Sequence, residues 1–184
     1  MNRLEILTYP NPILKKVSTD VTEIDQDLVD FVRDMEFTMY DAYGIGLAAA
    51  QVGRNINVLT LDVTQESDRS GLMHLINPVI ADAHGKTHYE EGCLSFPGIT
   101  AEIQRKKEIH VLAYDVHGKT LDFEASGLAA ICIQHEMDHL RGITFVDRLT
   151  PVQRKLLLRE YQAEKIAQIE GERERLIRKL HEGK

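Results

Sequence analysis

The chain has 184 residues, of which 43% are hydrophobic, and this length and composition fit one globular domain with a sizeable core. No apolar run reaches membrane-spanning length, and a net charge of -7 argues against a general DNA-binding surface. The two cysteines, Cys93 and Cys132, are too few for a disulfide framework. The start has no signal-peptide pattern, so we expect a cytoplasmic protein.

Helices and strands are mixed along the predicted order of elements. The first helix should run from Asp25 to about Tyr43, because apolar residues there recur every three to four positions. Strands are predicted over residues 57–63, 72–80 and 87–91, followed by a hairpin of residues 108–115 and 119–124 across Gly118. A second helix begins after Ser126 and stops near Gly142, and Pro151 opens a third. This order predicts an α+β fold with an antiparallel or mixed sheet packed around the second helix.

The charge of the chain is unevenly distributed. Residues 151–184 hold nine Lys/Arg against six Glu, a net of +3, which leaves -10 for residues 1–150. We therefore expect a main domain over residues 1–150 and a C-terminal helix over 151–184. Part of that helix should pack on the domain and part should project, where a basic surface could meet a partner.

The second predicted helix carries the pattern His-Glu-x-x-His. Its histidines, His135 and His139, are four residues apart and so share one helix face. Two imidazoles in this arrangement can bind one metal ion, with Glu136 beside them as a general base. The alternative is a buried amphipathic helix whose histidines only form hydrogen bonds.

A catalytic zinc-type site usually needs a third protein ligand. Cys132 shares the helix face, but seven residues of helix separate it from His139 by about 10 Å, too far for one tetrahedral ion. Cys93, in a turn-like setting between Gly92 and Pro97, and Glu160, on the last helix, both remain candidates. Glu91, Arg105 and Asp138 show no pattern that separates a role beside a metal from ordinary ion pairing.

The segment Gly44-Ile45-Gly46-Leu47-Ala48-Ala49-Ala50-Gln51 is rich in small residues. It does not fit a dinucleotide-binding loop, which needs a strand before it and a helix after it. An extended segment that lets a peptide backbone approach closely is the better interpretation, with Gln51 supplying an amide donor.

Together, three separated motifs resemble those of peptide deformylases. They are Gly44 to Gln51, then Glu91-Gly92-Cys93-Leu94-Ser95, and Gln134-His135-Glu136-Met137-Asp138-His139-Leu140-x-Gly142. The resemblance extends from about Leu7 to Leu149. One departure is Phe96-Pro97-Gly98-Ile99-Thr100, which lacks the substrate-facing Arg that some relatives carry, and the variable segment after Thr150 transfers nothing firm.

The resemblance implies a deformylase fold and assigns roles to individual residues. Cys93, His135 and His139 would bind one divalent metal, iron(II) first, with zinc, nickel or cobalt able to replace it. Glu136 would be the catalytic acid/base, and Gln51 with the Leu94 backbone N–H would form the oxyanion hole. The remaining expected site residues would contact the substrate: Gly44, Ile45, Gly46, Leu128, Ile131 and Cys132.

The implied reaction is hydrolysis of the formyl group from N-formylmethionyl nascent peptides, which releases formate. Residues 1–150 would then be the metallohydrolase domain, and the basic C-terminal helix could dock on the ribosome. Two alternatives remain: a His-Glu-x-x-His metallopeptidase that uses Glu160 as ligand, and a non-catalytic protein whose metal is structural.

Overall fold

A computed structural model describes residues 1–64, 66 and 68–182 of the chain. Its helices are α1 (Gln26–Asp41), α2 (Gly127–Leu140) and α3 (Pro151–Glu182). Its strands are β1 (Gly46–Ala48), β2 (Val58–Leu61), β3 (Met73–His84), β4 (Thr87–Cys93), β5 (Phe96–Arg105), β6 (Glu108–Tyr114) and β7 (Thr120–Ser126). Short 3-10 helices cover Pro12–Lys15, Ala49–Val52 and Phe145–Arg148. The predicted α+β class is confirmed.

The main sheet has five antiparallel strands in the order β1-β2-β3-β6-β7. Helix α2 packs on this sheet, and its side chains from Ala130 to Leu140 are all buried. Ser126 occupies the N-cap position, although its side chain makes no capping hydrogen bond. Gly142, with a φ of 69°, follows the last turn, as expected for a helix stop. Polar groups on such a helix are held in a poorly solvated interior.

Strands β4 and β5 form a separate two-stranded sheet, and β5 was not predicted. Pro97 and Gly98 suggest a turn, yet β5 begins at Phe96, where a proline near the start of a strand is tolerated. The register runs from Thr87 opposite Arg105 and shifts between Gly92 and Cys93, so that Cys93 lies opposite Phe96. This irregular end of the hairpin faces the buried helix.

The C-terminal helix α3 contacts the domain through its first turns. Tyr161 is 2% exposed and lies in an aromatic cluster with Tyr9, Phe96 and Phe145. Its hydroxyl donates to the Tyr9 carbonyl at 3.0 Å. Further along, Ile166 and Ile169 are exposed. The predicted helix over 151–184 includes residues 183 and 184, which lie outside the described residues.

Within the part of the chain that the structure describes, no helix combines the length and the apolar character needed to cross a membrane.

Candidate metal centre

Three side chains from two distant parts of the chain come together at one face of α2. Cys93 ends β4, while His135 and His139 occupy successive turns of the helix, and their ligand atoms all lie within 4.8 Å of one another. The Cys93 Sγ to His139 Nε2 distance is 3.3 Å. Ligand atoms around one tetrahedral zinc-sized ion are separated by about 3.6 Å, as its usual bond lengths dictate. One thiolate and two imidazoles at this spacing therefore fit a divalent transition metal.

The ring orientation of His135 is set by Glu91. The His135 Nδ1–H donates to Glu91 Oε2 at 2.8 Å, which leaves Nε2 as the nitrogen available to a metal. Glu91 is 3% exposed, and burial alone would raise its pKa, but hydrogen bonds from Arg105 and His135 outweigh this and hold the pKa at about 2. The phenyl ring of Phe145 stacks on the His135 ring, with centroids 6.3 Å apart. Hydrogen bonding and packing thus fix the His135 ring from two sides.

His139 is 1% exposed, and burial lowers its pKa well below the usual value. A neutral imidazole is the form that binds a metal, so burial favours this function. Its Nδ1 is buried and has no hydrogen-bond partner among the described residues.

Glu136 lies between the two histidines in the sequence and is 4% exposed. Burial raises its pKa to about 7. Its Oε2 is a buried oxygen for which the described residues supply no hydrogen-bond partner. A carboxylate with a raised pKa and an unpartnered oxygen is suited to exchanging protons near neutral pH.

The amide of Gln51 is oriented by a backbone N–H three residues earlier in the chain. The Ala48 N–H donates to Gln51 Oε1 at 2.8 Å, so the Nε2 donor faces the opposite way. That Nε2 lies 3.6 Å from Cys93 Sγ and 3.2 Å from Ser95 Oγ. The donor is therefore held beside the candidate metal site.

An open cleft of about 560 Å³ leads to these groups. Every residue expected to contact substrate lines it: Gly44, Ile45, Gly46, Leu128, Ile131 and Cys132, and so does the oxyanion candidate Leu94. The cleft also includes residues that the sequence did not suggest, among them Tyr43, Tyr89 and Phe96. Nothing in their local sequence marks them, because Tyr89 and Phe96 reach the cleft through the β4–β5 hairpin and Tyr43 through the segment between α1 and β1.

The other ligand candidates lie elsewhere. Cys132 is buried in the cleft wall and is not part of the ligand group, and burial raises its thiol pKa well above the usual value. Glu160 is exposed on α3 and, among the described residues, does not join the ligand group. The sequence also left open whether Glu91, Arg105 and Asp138 are surface groups. All three are buried, and they are linked to His135.

An α+β fold with a thiolate, two imidazoles and a buried carboxylate on one cleft defines a metal-dependent hydrolase. Comparison with known proteins then gives the family. The polypeptide deformylase family matches residues 3–155, and the chain belongs to that family. It is an enzyme that removes the formyl group from nascent peptides.

Individual relatives show how far the similarity reaches. The chain is 45% identical to the peptide deformylase of Aquifex aeolicus over 159 residues, which cover 86% of this chain and 94% of that protein. A crystal structure of a peptide deformylase from Legionella pneumophila superposes with a TM-score of 0.86 at 36% identity, covering 91% of this chain and 98% of that one. The Synechococcus elongatus enzyme in complex with actinonin gives 0.81 at 39% identity, covering 88% and 87%.

Proposed function

We propose that Cys93, His135 and His139 bind the catalytic metal and that Glu136 moves the protons of formyl hydrolysis on N-formylmethionyl peptides. The observation that carries the proposal is the position of Glu136 on the helix that supplies two of the three converging ligand groups, in the wall of an open cleft. Its buried Oε2 has no hydrogen-bond partner among the described residues. A divalent metal held there would supply a Lewis acid that polarises the formyl carbonyl and acidifies water.

Glu136 is the acid/base of this scheme. With its pKa near 7, its carboxylate accepts a proton from the attacking water and the resulting carboxylic acid gives that proton to the leaving amine. The peptide leaves with a free amino group, and the formyl carbon leaves as formate.

The formyl oxygen becomes negative as water adds to the carbon. Gln51 Nε2 and the Leu94 backbone N–H are the donors we assign to this oxygen. The fixed Gln51 amide supports the assignment, because a donor that is already oriented does not need to reorganise during the reaction.

The methionine side chain would enter the cleft and pack against the apolar side chains of Leu128, Ile131 and Cys132. These residues lie seven, four and three positions before His135 on α2, and all three line the cleft. The peptide backbone would run beside Gly44, Ile45 and Gly46, where small residues permit close approach.

Substrate comparison tests this function. We expect rapid formate release from formyl-Met peptides, much slower release of acetate from acetyl-Met peptides, and no internal cleavage. The acetyl methyl must fit where the formyl group has only hydrogen, and it makes the carbonyl less electrophilic. Internal cleavage without formate would assign the site to a peptidase instead.

A variant separates Glu136 from the metal ligands. Glu136→Gln should retain the metal, because the ligand set is intact, and should lose turnover by at least about 10²-fold, the lower range for general acid–base catalysis. Metal content and formate release measured on the same preparation decide it. A metal-loaded Glu136→Gln enzyme with normal turnover would remove Glu136 from the mechanism.

Iron(II) is the metal we propose, with zinc, nickel and cobalt as possible replacements. A Cys/His/His donor set accepts all four, because thiolate and imidazole both suit late first-row divalent ions. The choice of iron rests on the family resemblance rather than on the ligands.

We propose that residues 1–150 form the catalytic domain and that the C-terminal helix over 151–184 contacts the ribosome. The enzyme would then act in the cytoplasm, where nascent chains emerge. Support comes from the net charge of +3 over residues 151–184 of an otherwise acidic chain. Removing the residues after Ala163 should weaken co-sedimentation with ribosomes in a salt-dependent way. Unchanged co-sedimentation after truncation would end this proposal.

A further inference from the structure

Arg148 lies at the end of a chain of charged groups that leads to the metal ligand His135. It occupies the last position of the 3-10 helix Phe145–Arg148, and its side chain is 41% exposed. The Arg148 Nε–H donates to Asp138 Oδ2 at 2.9 Å, and a second N–H donates to Oδ1. The Arg148 guanidinium therefore binds both oxygens of the Asp138 carboxylate, which is 3% exposed.

Asp138 is also bonded to the buried Arg105. Its Oδ2 also accepts an N–H of Arg105 at 2.5 Å. The other two nitrogens of the Arg105 guanidinium donate to the two oxygens of Glu91 at 2.6 and 2.9 Å. Glu91 in turn accepts the Nδ1–H of His135. Arg148, Asp138, Arg105, Glu91 and His135 thus form one continuous chain.

With His135 neutral, as binding of a metal through its Nε2 requires, the charges of this chain balance only when Arg148 is present. Two arginines and two carboxylates then sum to zero, whereas loss of Arg148 leaves one excess negative charge on buried groups. Such a charge is costly, and Arg105 is then the remaining described cation bonded to either carboxylate. Arg105 would then move toward Asp138, which weakens its two hydrogen bonds to Glu91. The hydrogen bond from His135 to Glu91 would weaken in turn.

We propose that Arg148 is a positioning residue of the metal centre, acting through Asp138, Arg105 and Glu91 to aim the Nε2 of His135. The inference rests on the proposed ligand set. The same 3-10 helix supplies Phe145, which stacks on His135. One turn of chain therefore holds this ligand by packing and by hydrogen bonding.

Cobalt(II) affinity of the metal-free protein, measured by competition with a chelator, tests the proposal. Groups that hydrogen-bond a ligand directly change metal affinity by about 10- to 100-fold. Arg148 acts through three intermediates, so Arg148→Met should weaken cobalt binding by about tenfold, the low end of that range. The visible absorption of the bound cobalt should also change, because the imidazole shifts.

Arg154 provides a matched control. Its side chain is 42% exposed and pairs with Asp147 at 2.9 Å, but no described contact links that pair to Asp138. Arg154→Met removes the same charge from the same neighbourhood and should leave cobalt affinity and spectrum unchanged. Arg148→Lys keeps the charge but not the two parallel hydrogen bonds to Asp138, and its cobalt affinity should lie between those of wild type and Arg148→Met.

Cobalt affinity of Arg148→Met equal to that of Arg154→Met would overturn the proposal, whatever its effect on melting temperature. If Arg148→Met does not fold, Arg148→Lys carries the test, and wild-type affinity and spectrum in that variant would also overturn it. Cys93→Ala separates this result from the ligand assignment. Wild-type cobalt binding by Cys93→Ala would refute the ligand set. If Cys93→Ala loses cobalt binding and Arg148→Met binds normally, only the role of Arg148 is refuted.

Discussion

Gly46 lies on β1, where the backbone passes close to the side chains of Cys132 and Glu136 on α2. A Cβ built there would lie 2.6 Å from Cys132 Sγ, 2.6 Å from Glu136 Oε1 and 3.0 Å from Glu136 Cγ. Non-bonded heavy atoms favour separations of about 3.5 Å or more, so Gly46→Ala forces a relative shift of about 1 Å. Its φ is not positive, and the effect is therefore steric rather than a matter of backbone strain.

The direction of that shift determines the expected effect. Cys132 and Glu136 both belong to the packed helix α2, so the Glu136 carboxylate must rotate or β1 must move away from it. A misplacement of about 1 Å can cost about 10²-fold in rate. Overpacking a core typically costs about 1–3 kcal/mol of stability. We expect kcat/KM for formyl-Met peptides to fall by about 10²-fold. Metal content should stay normal, because none of the three atoms nearest to the added Cβ belongs to a proposed ligand.

The assay measures formate release alongside metal content and thermal unfolding. Cys132→Ala in the Gly46→Ala background removes one of the two short contacts and should recover part of the lost activity. Gly171→Ala, where nothing lies within 4 Å of the added Cβ, should behave as wild type. Wild-type kcat/KM in a folded, metal-loaded Gly46→Ala enzyme would refute the reasoning from close approach.

Two further outcomes are expected. Cys93→Ala should lose tight metal binding and activity, whereas Cys132→Ser should keep its metal, and metal analysis of both purified variants checks this; a metal-replete Cys93→Ala protein contradicts the ligand assignment. The iron-loaded enzyme should lose activity in peroxide faster than the nickel-loaded enzyme, because iron(II) oxidises; equal decay would point instead to oxidation of the thiolate that both forms share.

The parts of the fold that depend on local pattern could be predicted from the sequence. Helix α1 runs over Gln26–Asp41 against an expected span from Asp25 to Tyr43, and the β6–β7 hairpin forms across Gly118 as expected. Three-to-four spacing, alternation and turn residues are properties of neighbouring positions. Strand β5 could not be predicted in this way, because Pro97 and Gly98 mask a strand that forms by pairing with β4.

The same distinction applies to the site. The spacing of His135 and His139 on a helix could be predicted from the residues, but the third ligand could not, since Cys93 and Glu160 both remained open until the family resemblance favoured Cys93. The role of Arg105 and its carboxylate partners was left open for a related reason. Whether an Arg and a Glu pair on the surface or in the core depends on how distant strands and helices pack, and no local pattern reports it.

Two buried carboxylates near the same histidines show how the surroundings divide the tasks. Glu91 receives hydrogen bonds from Arg105 and His135, and its pKa is held at about 2, so it stays charged and orients the His135 ring. Glu136 is as deeply buried, but its Oε2 finds no partner among the described residues and its pKa rises to about 7. Carboxylates whose surroundings separate their pKa values in this way take different roles in catalysis. The hydrogen bonds of Glu91 suit a carboxylate that stays charged and holds a ring in place, whereas the raised pKa and the Oε2 of Glu136 suit the proton transfer proposed for it.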